Sequence, residues 1–174
     1  MFKKSLFSII VAIMIIFTSF SSYAFTTVLD VLKSKDVKST SEFLVSIIRP
    51  EGDETISKKS YVICGNAADE AEDIRVNVLI ENSDGEWEEF KNTDGESSWD
   101  IGASGIFMKE VVFPNEGINS IRVAAYKKSE IKDLKVGENL QINDFKITVL
   151  PEGFWNTIRS INVLKYLKSF VGVE

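Results

Sequence analysis

The segment Ile74-Arg75-Val76-Asn77-Val78-Leu79-Ile80-Glu81 decides the fold. In an extended chain successive side chains point to opposite sides, so Ile74, Val76, Val78 and Ile80 share one face while Arg75, Asn77 and Glu81 share the other. The pattern predicts an antiparallel strand with one face on a core and one in water. Asn82-Ser83-Asp84-Gly85 follows as a hairpin turn, since Asp-Gly supplies the positive φ angles that a tight reversal needs. Glu86 to Phe90 then returns as a short, charged edge strand.

The same period of two extends in both directions. Toward the N-terminus, Phe43 to Ile48 reads as a strand stopped by Pro50 and the turn-rich Glu51-Gly52-Asp53, and Ser60 to Asn66 reads as another. Toward the C-terminus, a polar loop from Lys91 to Ser98 leads through Trp99 and the small residues Gly102, Ala103 and Gly105 to a strand from Ile106 to Phe113. Pro114-Asn115-Glu116-Gly117 turns the chain into Ile118 to Tyr126, and Phe145, Ile147 and Val149 alternate in a last strand. Seven short strands separated by turn signals predict a mainly β protein, a seven-stranded antiparallel sandwich over residues 42–150. Its two layers are expected to meet through the aliphatic side chains around Val76, Val123 and Ile147.

Residues 1–24 have the three parts of a secretory signal: basic Lys3 and Lys4, an apolar run from Leu6 to Phe20, and the small-residue end Ser22-Tyr23-Ala24. Cleavage after Ala24 is expected. The alternative, an uncleaved anchor, is disfavoured because a run of about 15 residues is short of the roughly 20 that span a bilayer as a helix. No cysteine follows the run to accept a lipid. Export places the chain at the cell surface or in the secreted fraction, and single Cys64 leaves the fold to stand without an internal disulfide. About 150 residues then remain, enough for one domain to hold a core by packing alone. Residues 25–41 read as an N-terminal arm or short helix, with Val28, Leu29, Val31 and Leu32 at helical spacing.

Composition narrows the chemistry. The chain has no histidine, which excludes imidazole general bases, Ser-His-Asp and Cys-His nucleophiles, and histidine metal sites. After cleavage it keeps all 26 acids and loses Lys3 and Lys4 from its 20 bases, leaving a net charge of −8. That balance argues against nucleic acid as a partner. No cofactor motif is present: Gly102-Ala103-Ser104-Gly105 lacks the lysine of a phosphate loop. The acids Asp69, Glu70, Glu72, Asp73, Asp94 and Glu96 lack the spacing of a calcium loop and are read as a solvated rim rather than as ligands. A non-catalytic protein is expected.

Tyr61-Val62-Ile63-Cys64-Gly65-Asn66-Ala67, the Val76-Val78-Ile80 strand, Asp84-Gly85-Glu86-Trp87, and Glu116-Gly117-Ile118-Asn119-Ser120-Ile121-Arg122-Val123-Ala124-Ala125-Tyr126 resemble the bacterial immunoglobulin-like domains of secreted and cell-surface proteins. Those domains pair a V-x-I-S-G-x-A strand with a later E-G-x-N-x-I-x-V-x-A strand. Cys64 stands where the family commonly has serine, and a long tail follows Val149. The resemblance implies a structural or interaction role at the cell envelope, toward a protein or a polysaccharide.

Three features remain as candidate binding elements. Trp87, Trp99 and Trp155 suit a carbohydrate-binding module if their rings are exposed, because a flat π surface meets the apolar face of a sugar; the competing reading places them in the core. In residues 151–174, Phe154, Ile158, Ile161, Leu164, Leu167 and Val171 recur at helical spacing after Pro151, and Arg159, Lys165 and Lys168 are the only charges in residues 153–173. This C-terminal amphipathic helix either docks on the sandwich or binds an anionic membrane surface or a partner. Cys64 alternates with Tyr61 and Ile63 and so faces outward with Val62, either covered or free to form an intermolecular disulfide.

Overall fold

In the computed structural model, residues 27–67 and 71–154 are described. One short helix, α1 (Val28–Lys33), precedes nine strands among them. These are β1 (Val45–Arg49), β2 (Glu54–Ile56), β3 (Ser60–Ala67), β4 (Ile74–Glu81), β5 (Trp87–Glu89), β6 (Ser98–Asp100), β7 (Ile106–Val112), β8 (Gly117–Lys127) and β9 (Leu140–Val149). A three-stranded sheet has the order β1-β3-β7, and a six-stranded sheet has the order β2-β9-β8-β4-β5 with β6 also on β4. All pairs are antiparallel except β2 with β9. β1 and β2 are consecutive in the chain yet lie in different sheets, on either side of a cis Arg49–Pro50 peptide. The order is that of an immunoglobulin-like sandwich.

The core lies between the sheets, where Val76, Val123 and Ile147 are at most 1% exposed. Burying such aliphatic side chains contributes roughly 1.5–3 kcal/mol each, so this seam is the main source of stability.

The expected count of seven strands becomes nine among the described residues. β2 is three residues long and β6 surrounds Trp99, so neither offers enough alternation to be read locally. β9 begins at Leu140, well before Phe145, because its aliphatic residues change face midway. Leu140 and Ile142 point outward, whereas Phe145, Ile147 and Val149 point into the sandwich.

β4 corrects a second expectation. Its polar-looking face is only partly in water: Asn77 and Leu79 are buried, while Arg75 is half-buried and Glu81 exposed. A second, smaller core of Leu32, Leu79, Trp87, Ala124, Tyr126, Leu140 and Ile142 covers the outside of the six-stranded sheet. The N-terminal arm closes it. Thr27 caps α1 in a capping box, accepting from the Asp30 amide at 3.3 Å while its own amide donates to Asp30 Oδ2 at 2.8 Å.

Arg122 fastens the arm to the sheet, and Gln141 ties the chain entering β1 to β9. Arg122, 2% exposed, is gripped by both oxygens of Asp144 at 2.7 and 2.8 Å and donates to the carbonyls of Leu32, Ser34 and Val37 at 2.9, 2.8 and 3.3 Å. Gln141 Oε1 accepts from the amides of Phe43, Leu44 and Val45, and its Nε2 donates to the Val45 carbonyl and to Asn143.

Candidate interaction face

The three-stranded sheet has one side turned to the core and one to solvent. In the β3–β7 register, Gly65 lies opposite Phe107, Ile63 opposite Lys109 and Tyr61 opposite Val111 on the inner side. Gly65 is required there: a Cβ would stand 2.3 Å from the Ser46 carbonyl oxygen and 2.7 Å from the Phe107 ring. The outer side pairs Cys64 with Met108, Asn66 with Ile106, Val62 with Glu110 and Ser60 with Val112.

This outer side is apolar and open. Ile106, Met108 and Val112 are 60%, 65% and 51% exposed, and Ile48 on β1 is 56% exposed. Cys64 is buried among them and Val62 half-buried. The one acid on this stretch of β7, Glu110, accepts a short hydrogen bond from the Ser60 hydroxyl. The free edge of β7 is blocked, since the Thr93 amide donates to the Glu110 carbonyl at 3.2 Å and Asn92 bridges to Val111. The β7 edge is thus covered at Glu110 and Val111, and the face beside it is open to packing.

Beside this face lies a polar group that includes Tyr61 of the inner side. Arg49 lies 3.4 Å from Glu54 and stacks over the Tyr61 ring at 4.9 Å. Burial first, and the Glu54 carboxylate second, raise the Tyr61 phenol well above its ordinary value, although its hydroxyl makes no well-formed hydrogen bond. Desolvation raises Glu54, but the Glu51 amide at 3.0 Å, together with Tyr61 and Arg49, outweighs it and leaves the carboxyl below its usual range.

The tryptophans are elsewhere, and the alternative of exposed rings for sugar stacking is corrected in favour of the core reading for Trp87 and Trp99. Trp87 is 9% exposed in the outer core beneath Arg122, whose guanidinium carbon sits 4.3 Å from the ring centroid. Trp99 is 8% exposed in the main core, with Lys109 Nζ 5.7 Å from its centroid. The two rings belong to separate cores and neither leaves a face for a pyranose. Trp155, Arg159, Lys165 and Lys168 lie outside the described residues, as do Asp69 and Glu70.

Asp73, Glu96, Glu88 and Glu89 have structural partners. Asp73 accepts from the Ser129 amide and hydroxyl at 3.0 and 2.5 Å. Glu96 pairs with Lys109 at 3.2 Å. Glu88 accepts from Asn82, and Glu89 from Ser97, at 2.6 Å each.

Sequence reasoning missed the second of two matching turns. Asn82 Oδ1 accepts from the amides of Asp84 and Glu86, and ten residues on Asn92 Oδ1 accepts from those of Asp94 and Glu96. The repeated pattern Asn-x-Asp-Gly-Glu at 82–86 and 92–96 is the signal that could have located it.

No family model and no curated protein matches the chain. Among solved structures, it is similar to the crystal structure of the periplasmic chaperone SfaE, with a TM-score of 0.36 and 14% identity over 63% of this chain. The match spans 58% of the chaperone's own length. It is also similar to the ASH/PapD-like domain 7 of human CEP192, with a TM-score of 0.34 and 10% identity over 68% of this chain and 94% of that one. The immunoglobulin-like assignment rests on the strand order of the chain itself.

Proposed function

We propose that this chain is an exported, non-catalytic immunoglobulin-like protein that acts at the cell envelope by binding a protein partner through the outer face of its three-stranded sheet. The observation that carries the reading is the contrast between the two outer faces. One is covered by the chain's own arm, with Arg122 fastening it. The other displays four large aliphatic side chains, each more than half exposed. A contiguous apolar patch on an otherwise charged protein is the usual mark of a docking surface. Export is supported by the leader-like residues 1–24, and the envelope by the resemblance of the two strand motifs to secreted immunoglobulin-like domains.

The test places a photoreactive side chain at position 108 in the cell that makes the protein, with position 88, exposed on the far sheet, as the control. The expected result is a discrete heavier adduct from position 108 in the envelope fraction. If position 108 gives no adduct beyond that of position 88, the reading fails.

A further inference from the structure

A hollow of about 370 Å³ opens where the chain crosses from β2 of one sheet into β3 of the other. That volume lies at the small end of the range for ligand sites. Arg49 from the end of β1, Thr55 from β2, Ser57 and Lys58 from the connection, and Tyr61 from β3 contribute to its walls. Two of its lining residues are cations and none is an acid, in a chain with 26 acids and 20 bases. The sign of the hollow is thus opposite to that of the molecule, and its field favours an anion.

The donors of the hollow are not spent on the protein. Arg49 gives only Nη2 to Glu54, at 3.4 Å, and its side chain is half exposed. Glu54 is itself held by the Glu51 amide at 3.0 Å and is not part of the lining. Lys58 is exposed and forms no ion pair among the described residues. Tyr61 is 4% exposed, and its buried hydroxyl makes no well-formed hydrogen bond. Burial keeps that phenol protonated, so it is a donor, and a buried donor without an acceptor is costly. An acceptor entering the hollow removes the cost.

The donor set selects among anions. A guanidinium presents paired N–H groups that match two phosphate oxygens, and an ammonium adds a point charge. Two cations balance a dianion, whereas a carboxylate or chloride brings one charge. We infer that the hollow between β1, β2 and β3 binds a phosphate dianion, with Arg49 and Lys58 holding its charge and the hydroxyls of Thr55, Ser57 and Tyr61 donating to its oxygens. The exposed Thr55, Ser57 and Lys58 leave one side open to solvent, so the group is either inorganic phosphate or the terminal phosphate of a monoester. Ser60 and Val62 belong both to this hollow and to the outer side of the three-stranded sheet, but the ion does not depend on that side binding a protein.

The test is an amide NMR titration of the purified chain with inorganic phosphate at about pH 8, where phosphate is mainly a dianion, with ionic strength held constant by sodium chloride. Saturable shifts are expected at residue 49 and residues 55–62. Arg49→Gln and Lys58→Gln are each expected to weaken binding at least about fivefold, and Tyr61→Phe, which keeps the ring, at least about twofold. Lys132→Gln, at an exposed lysine between β8 and β9, is the charge control and is expected to leave binding unchanged.

Shifts that do not saturate, or that sodium chloride alone reproduces, overturn the inference. So does binding that survives both Arg49→Gln and Lys58→Gln, or that Lys132→Gln weakens as much as they do. Acetate binding as tightly as phosphate overturns the choice of a dianion. Glycerol phosphate binding within about threefold of inorganic phosphate supports a monoester as the ligand, and its exclusion supports the free ion. A missing adduct at position 108 in cells defeats the protein-docking reading without touching this one.

Discussion

Gly65 sits where two backbones and an aromatic ring converge. The Ser46 oxygen and the Phe107 ring fill the space that a side chain would need. Gly65→Ala is expected to cost about 3 kcal/mol, the upper range for overpacking, because the obstacle is backbone and cannot rotate away. Urea unfolding checks this, and a loss under about 0.5 kcal/mol would show that the strands shift freely. The glycine was legible as part of a strand motif, but its reason was not, since Phe107 lies 42 residues away in sequence. Trp87 and Trp99 carry the same lesson in reverse. A tryptophan letter is identical whether its ring is buried or open, and only the groups that reach it from elsewhere, Arg122 and Lys109, show which.

Among elements, the N-terminal arm depends on one buried cation. Removing Arg122 would strand the Asp144 carboxylate and three backbone carbonyls, so Arg122→Ala is expected to lose about 3–5 kcal/mol, as when one partner of a buried ion pair is deleted. Hydrogen exchange gives the more specific readout: amides of residues 28–37 should lose protection while those of β3 and β7 keep theirs at low denaturant. Uniform loss across both sheets would mean that the arm is not a separable element. Strands with steady alternation, β4, β7 and β8, were legible, β4 to the residue. β9 was half legible because its aliphatic residues serve two cores in succession, and β2 was not legible because three residues paired in parallel to a distant strand carry no local pattern.

For the whole molecule, titration sets two limits on stability. The Arg75 hydrogen bond holds Asp100 below its ordinary range, and Glu54 is held low as described. The unfolded chain therefore binds more protons than the folded one as pH falls below about 4, and stability drops through that limb. Burial raises Tyr61 and Tyr126. Above about pH 10 the unfolded chain releases phenol protons that the folded chain keeps, so stability drops again. With no histidine in the sequence, the urea midpoint is expected to be nearly flat from about pH 5 to 9, and a steep slope inside that window would contradict the assignment.

The sequence by itself determined the β class, the alternation of the central strands, the absence of imidazole chemistry and the leader-like start, because each depends on residue type or on spacing within a few positions. The tertiary structure decided which faces are wet. β4 looked half-exposed until the arm covered it, the tryptophans looked available until Arg122 and Lys109 closed over them, and the row from Ile106 to Val112 became a surface only because nothing among the described residues packs on it. Solvent exposure is a property of what lies across from a residue, and in this chain the opposing groups lie tens of residues away.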